Sequence, residues 1–288
     1  MIYLIFAIIS SATLAVVLKY FRHQEGNRYG LIIGNYLACI ILSFILMPSK
    51  TLITHPESVT LVCSFAAGIS FVLGLVFFQA SIKTNGAALS AAFAKLGIVV
   101  SLTVSILIFG ERPATLQLLG IGIVLLAIIL INSDSADAHT LDQAGAGGQV
   151  SILLLFATLA FGGASDTMAK VFERVGRREE DTVYLFFLFV VAIILSSLLG
   201  YREYRHSGKK IVRKEFCAGI LAGIPNYFSS LLILKALSTL PAFLTYSVFS
   251  TCTILLVTII SAIFFHEKLG KKSIAAMGLI LLSLVLLQ

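Results

Sequence analysis

Ten times along its 288 residues the chain runs for fifteen residues or more with at most two charges. Crossing a bilayer takes about 20 apolar residues as helix, and few other environments reward such runs. They cover residues 2–21, 29–47, 58–82, 87–109 and 115–132, then 150–172, 182–200, 216–237, 242–265 and 273–287. Only 12% of the residues are charged, 58% are hydrophobic, and the mean hydropathy is +1.01. A soluble chain of this length has no cores large enough to hide that much apolar surface. Nothing alternates with a period of two residues over a strand-length stretch, which argues against an outer-membrane barrel. Helices satisfy their own backbone in lipid, so the expected fold is an all-α membrane protein of ten transmembrane helices. The apolar N-terminus has no basic leader and no small-x-small cleavage signal, and reads as the first span.

The second constraint is a repeat. Phe109-Gly110-Glu111-Arg112 closes the fourth apolar run, and Phe265-His266-Glu267-Lys268 closes the ninth, 156 residues later. That offset superposes 66–132 on 222–288 without a gap, with 12 identities in 67 positions. Charges, loops and helix ends coincide, which carries more weight than identities among apolar residues. Aligning Leu4 with Leu155 also places Lys19 on Lys170 and Phe21 on Phe172. The chain therefore divides into a first repeat (1–132), a linker (133–148) rich in Asp, Ala and Gly, and a second repeat (149–288). Five spans per repeat is an odd number, so the second repeat enters the membrane from the opposite face. The expected architecture is two inverted five-helix repeats around a central cavity.

On these residues the chain resembles the drug/metabolite transporter superfamily, EamA type. The resemblance rests on Lys19, Gly110-Glu111-Arg112 and Gly120-Ile121-Gly122 in the first repeat, and on Lys170, His266-Glu267-Lys268 and Gly278 in the second. Three features depart from that pattern. The chain has no Trp, His266 replaces a Gly, and the fourth span has no central proline. The resemblance implies a ten-helix secondary transporter of a bacterial inner membrane, with alternating access and export as its direction. A lipid or polyprenyl-phosphate-linked sugar flippase of the same superfamily is the alternative it leaves open.

Charges inside hydrocarbon cost about 2.5–3.5 kcal/mol each on insertion scales, so each one in a span needs a reason. Lys95 lies about 3 residues from the middle of the fourth span, roughly 5 Å in depth, and is expected to face a polar cavity. Asp166 and Lys170 are four apart on the sixth span and can share a face. As a pair they suit a zwitterionic, amino acid-like substrate. A carboxylate that takes up a proton when substrate displaces its partner also offers proton coupling. Lys19 repeats Lys170 near the end of the first span, where snorkelling to the interface is the simpler reading.

The uncharged candidates for substrate binding are Asn35, Gln79, Asn226, Tyr227 and Tyr246. Asn226 follows Pro225 at the middle of the eighth span, where a proline frees a carbonyl one turn earlier. Glu111 and Glu267 sit in turns ahead of the last helix of each repeat. A carboxylate there suits the positive end of the next helix, so a capping or gating role is expected. The small residues Ala87, Ala88, Ser90, Ala91, Ala92 and Ala94 mark the fourth span for close helix packing.

Other function classes lack their residues. There is no HExxH, GxSxG or GxxxxGK[ST], so no catalytic residue, metal or cofactor is expected. Cys39, Cys63, Cys217 and Cys252 stand singly and read as small packed thiols. The net charge of +7 is spread over loops without a basic, aromatic-studded face, which fits membrane topology rather than nucleic acid. The expected partners are a small-molecule substrate and the lipid bilayer, with the chain a monomer or homodimer.

The resemblance implies that both termini are cytoplasmic. The loops on that side would then hold 5 Lys and Arg against 12 opposite, the reverse of the positive-inside pattern. A reporter fused after Gln288 reads the orientation. Cytoplasmic fluorescence is expected from the resemblance, and periplasmic phosphatase activity would overturn it.

Overall fold

The computed structural model describes residues 1–21, 26–27, 29–143, 151–264 and 271–287. Glu267 and its neighbours in the second repeated turn lie outside the described residues. Those described form twelve α-helices: α1 (Ile2–Tyr20), α2 (Tyr29–Ile45), α3 (Thr51–Thr54), α4 (Ser58–Asn85), α5 (Ala87–Leu96), α6 (Ile98–Leu107), α7 (Thr115–Gln143), α8 (Ile152–Val175), α9 (Asp181–Ser207), α10 (Arg213–Leu237), α11 (Ala242–Phe264) and α12 (Lys271–Leu286). Seven stretches are long and apolar enough to cross a membrane, Leu89–Leu107 among them. Three shorter apolar helices join them at Tyr29–Ile45, Thr115–Leu130 and Ile274–Leu286.

Two features depart from the expected spans. The fourth run is not one helix but two, α5 and α6, meeting at Gly97. Gly97 N–H donates to Ala94 at 3.4 Å, and Gly97 accepts from Val100 N–H at 3.0 Å. Both bonds span three residues, so the helix tightens here into a 3-10 turn, a common mark of a hinge or of strain. At the other end of the repeat, α7 runs on to Gln143, so the backbone is helical through most of the expected linker.

The chain forms two compact units, and these are not the two repeats. The first comprises Met1–Val72 with Met168–Leu240, the second Leu73–Thr167 with Pro241–Gln288. Their boundaries fall inside α4 and α8, and each unit draws helices from both repeats.

The first unit is organised by α10. Where α10 crosses α2, glycines bring the backbones together. A Cβ on Gly34 would collide with the carbonyl of Phe216, one on Gly219 with that of Leu31, and one on Gly223 with that of Asn35. α9 lies along α2 with the rings of Tyr36 and Phe189 5.9 Å apart, and Ser229 donates to the Ala7 carbonyl of α1 at 3.4 Å.

The second unit has its own close crossing. A Cβ on Gly163 of α8 would collide with the carbonyl of Gly97, and one on Gly74 of α4 would come within 3.3 Å of Gly162 N. Around these contacts Phe77 stacks on Phe161 at 5.3 Å, and Phe93 meets Phe156 edge-on at 5.8 Å. Ala127 of α7 with Ala276 and Ile280 of α12 forms a separate buried cluster. The close crossing is thus made by Gly97 at the 3-10 turn with Gly163 of α8, about one helical turn beyond the alanine-rich stretch that composition singled out.

Candidate functional site

Three of the expected residues come together in the second unit. Lys95 stands on the last turn of α5, two residues before the 3-10 turn. Asp166 stands on α8, three residues past Gly163. Their charges act on one another through space, without a direct ion-pair contact among the described residues. Tyr246, buried on α11, donates its hydroxyl to the backbone carbonyl of Asp166 at 2.6 Å. The glycine crossing explains the arrangement. With glycine on the α8 side of the contact, Gly163 packs directly on the Gly97 carbonyl and Val100, and this close approach sets how far apart Lys95 and Asp166 can stand.

Lys95 and Asp166 are both exposed, although both lie near the middle of their spans. An exposed charge at that depth faces either acyl chains or water. The insertion cost of a bare charge and the presence of an opposite charge nearby favour water. Lys95 comes from the first repeat, and Asp166 and Tyr246 from the second. Gln79, on α4 in the same unit, has a buried Oε1 that accepts no hydrogen bond among the described residues. It is an acceptor left over for something else.

Lys170 has an acidic partner on its own helix, one turn further along α8. Lys170, buried in the first unit, sets its ammonium 2.9 Å from the Glu173 carboxylate. The cation acting on Asp166 is Lys95. Both i+3 and i+4 neighbours are within reach on a helix, and here the i+3 carboxylate takes the lysine.

Asn35 and Asn226 also meet, in the first unit. Asn226 Nδ2 donates to Asn35 Oδ1 at 2.7 Å, and the Cys39 thiol donates to the Gly223 carbonyl at 3.3 Å. This cluster ties α2 to α10 at the glycine crossing, and Asn35 is itself buried. Pro225 sits within α10 beside it, and the helix continues through it. Tyr227 is fully buried next to Phe228, with ring centroids 5.6 Å apart. Lys19 occupies the last turn of α1 and is half-buried.

Glu111 caps a helix far along the chain. Gly110, at φ +67, turns the chain out of α6 through the left-handed region that glycine tolerates. Glu111 then reaches the first turn of α11, accepting from Ala242 N–H at 3.0 Å and Phe243 N–H at 3.3 Å. A first-repeat carboxylate thus satisfies the open N–H groups of a second-repeat helix and faces its positive end. Glu111→Ala is expected to lower stability by about 0.5–2 kcal/mol, the usual cost of a lost cap. Glu111→Gln, which keeps an acceptor oxygen, is expected to cost less. Thermal unfolding in detergent measures both, and an unchanged midpoint in Glu111→Ala would remove the cap.

Neither the break at Gly97 nor the target of Glu111 was expected from sequence. A glycine two residues from a mid-span lysine was the one local cue for the break. Nothing near Glu111 names its partner, because the contact spans 131 residues. The four cysteines are free thiols, Cys39 and Cys63 buried and Cys217 exposed.

No curated protein matches the chain. Among solved structures that match is a protein crystal structure that superposes with a TM-score of 0.77 over 99% of this chain and 95% of its own. At 15% identity it shares the fold and carries nothing further. The family pattern described as the EamA-like transporter family matches residues 1–133 and 149–288. With nearly its whole length matched and apolar helices throughout, the chain is a multi-pass membrane protein and belongs to the EamA-like transporter family.

Proposed function

We propose that the protein is a secondary transporter that moves a small polar or zwitterionic, amino acid-like metabolite by alternating access. Its ten spans form two inverted five-helix repeats, and in a bacterial inner membrane it works as an exporter. The observation that carries this reading is the pair of opposite charges, Lys95 and Asp166, exposed at mid-span on two different helices. A zwitterion presents a carboxylate and an ammonium a few ångströms apart, and such a pair offers one partner to each. Because Lys95 belongs to one repeat and Asp166 and Tyr246 to the other, motion of the repeats against each other changes the site itself. The 3-10 turn at Gly97 supplies a place for α5 to bend relative to α6. Glu111, holding the start of α11, must yield if α11 moves.

A thermal-shift screen of the purified protein against amino acids, nucleosides and cationic drugs tests the substrate class. Zwitterions are expected to raise the unfolding temperature of the wild type and to lose that effect in Lys95→Ala. A zwitterion that stabilises both equally would take Lys95 out of the site. Comparing solute flux with lipid scrambling in the same vesicles separates this reading from a flippase. Scrambling without solute flux would overturn it.

A further inference from the structure

We propose that the connection between α9 and α10 is a docking site for anionic phospholipid headgroups. Residues 201–214 contain six cations, Arg202, Arg205, Lys209, Lys210, Arg213 and Lys214, against the single acid Glu203. All six are exposed.

Span lengths place them. On α9 no charge occurs between Asp181 and Arg202, and those 20 residues rise about 30 Å as helix. On α10 the uncharged stretch runs from 216 to 234, about 28 Å. Each matches a hydrocarbon core of about 30 Å. Arg202 at the end of one helix and Arg213 and Lys214 at the start of the next therefore reach the same membrane boundary. Everything between them lies in the headgroup layer. The apolar residues interleaved with the cations are also exposed, Tyr201 and Tyr204 on α9, Ile211 and Val212 ahead of α10. Tyrosines at this depth sit among headgroups, which distinguishes the segment from a basic loop built for a soluble partner.

The loop is held in shape before any ligand arrives. Asn27, buried, donates through Nδ2 to the carbonyls of Gly200 at 2.8 Å and Lys209 at 3.4 Å, and through its N–H to the Lys210 carbonyl at 3.0 Å. Gly26 N–H donates to Glu215 Oε1 at 2.8 Å. These anchors use backbone carbonyls and the Glu215 carboxylate, so the exposed lysine side chains are left for solvent or lipid. A polybasic segment fixed at the bilayer surface gathers anionic headgroups within a Debye length.

The test uses the full-length protein in detergent, titrated with phosphatidylglycerol or phosphatidylcholine and read by native mass spectrometry as lipid molecules retained. The wild type is expected to retain phosphatidylglycerol in preference. The variant Lys209→Gln, Lys210→Gln, Arg213→Gln, Lys214→Gln is expected to lose that preference by at least about tenfold. The same preference in wild type and variant would overturn the proposal. So would displacement of the lipid by inorganic phosphate at equal concentration, which would mark a plain anion site. Should the fourfold variant fail to elute as a single species, Lys209→Gln with Lys214→Gln replaces it, and an undiminished preference there overturns the proposal equally.

Discussion

A leucine at position 163 is expected to leave no folded protein to purify. Gly163 faces the backbone of the 3-10 turn, where even a methyl would meet the carbonyl of Gly97 and stand 2.6 Å from Val100 Cβ. A flexible side-chain tip can swing aside, but a carbonyl in a helix can move only with the helix. Gly163→Ala is therefore expected to cost about 1–3 kcal/mol, the range for overpacking a close-packed interior, and Gly163→Leu to prevent the second unit from forming. Gly122 on α7 is the control. A Cβ there meets nothing within 4 Å. Gly122→Ala is expected to be neutral or to stabilise by up to about 1 kcal/mol through helix propensity. Elution profile and thermal midpoint in detergent report both. A monodisperse Gly163→Leu with a wild-type midpoint would show that α6 and α8 do not approach as described.

The second large effect concerns transport. Lys95→Ala and Asp166→Ala are each expected to reduce substrate flux by at least about tenfold, the equivalent of 1.4 kcal/mol in a single binding interaction. The double variant is expected to be no worse, because residues acting as a unit do not add. Stability is expected to follow another order. Either single change leaves one charge at mid-span depth without its opposite, whereas the double change removes both charges and recovers part of the loss. A stability-only pair would restore flux along with the midpoint in the double variant, and that outcome would end its assignment to the site.

Much of this was legible from sequence because membrane spans obey a length rule that needs no knowledge of neighbours. Lys95, Asp166 and Tyr246 stood out because a polar group in hydrocarbon is conspicuous wherever it points. Their partners were not legible. The helical rule of three or four residues offers Lys170 both Asp166 and Glu173, and only the packing of α5 beside α8 brings Lys95 to Asp166. The target of Glu111 was hidden for a similar reason. A carboxylate before a helix suits the nearest N-terminus, and nothing local says that the chain will deliver it to α11. The repeat suggested a division at the linker, whereas the packing divides the chain within α4 and α8. Sequence similarity between halves records duplication, and the interdigitation of the copies is settled by contacts far apart in the chain.

That interdigitation sets a timetable for assembly. Asn35 and Asn226 bond across 191 positions, so at about 5–20 residues per second of synthesis α2 enters the bilayer roughly 10–40 s before α10 exists to receive it. During that interval α2 waits with its glycine face and the Asn35 amide unmatched. The first unit closes only when the chain has reached Leu240. A chain interrupted between α2 and α10 leaves the Asn35 amide without this partner in lipid, and so carries its own mark of incompleteness for whatever removes unfinished membrane proteins.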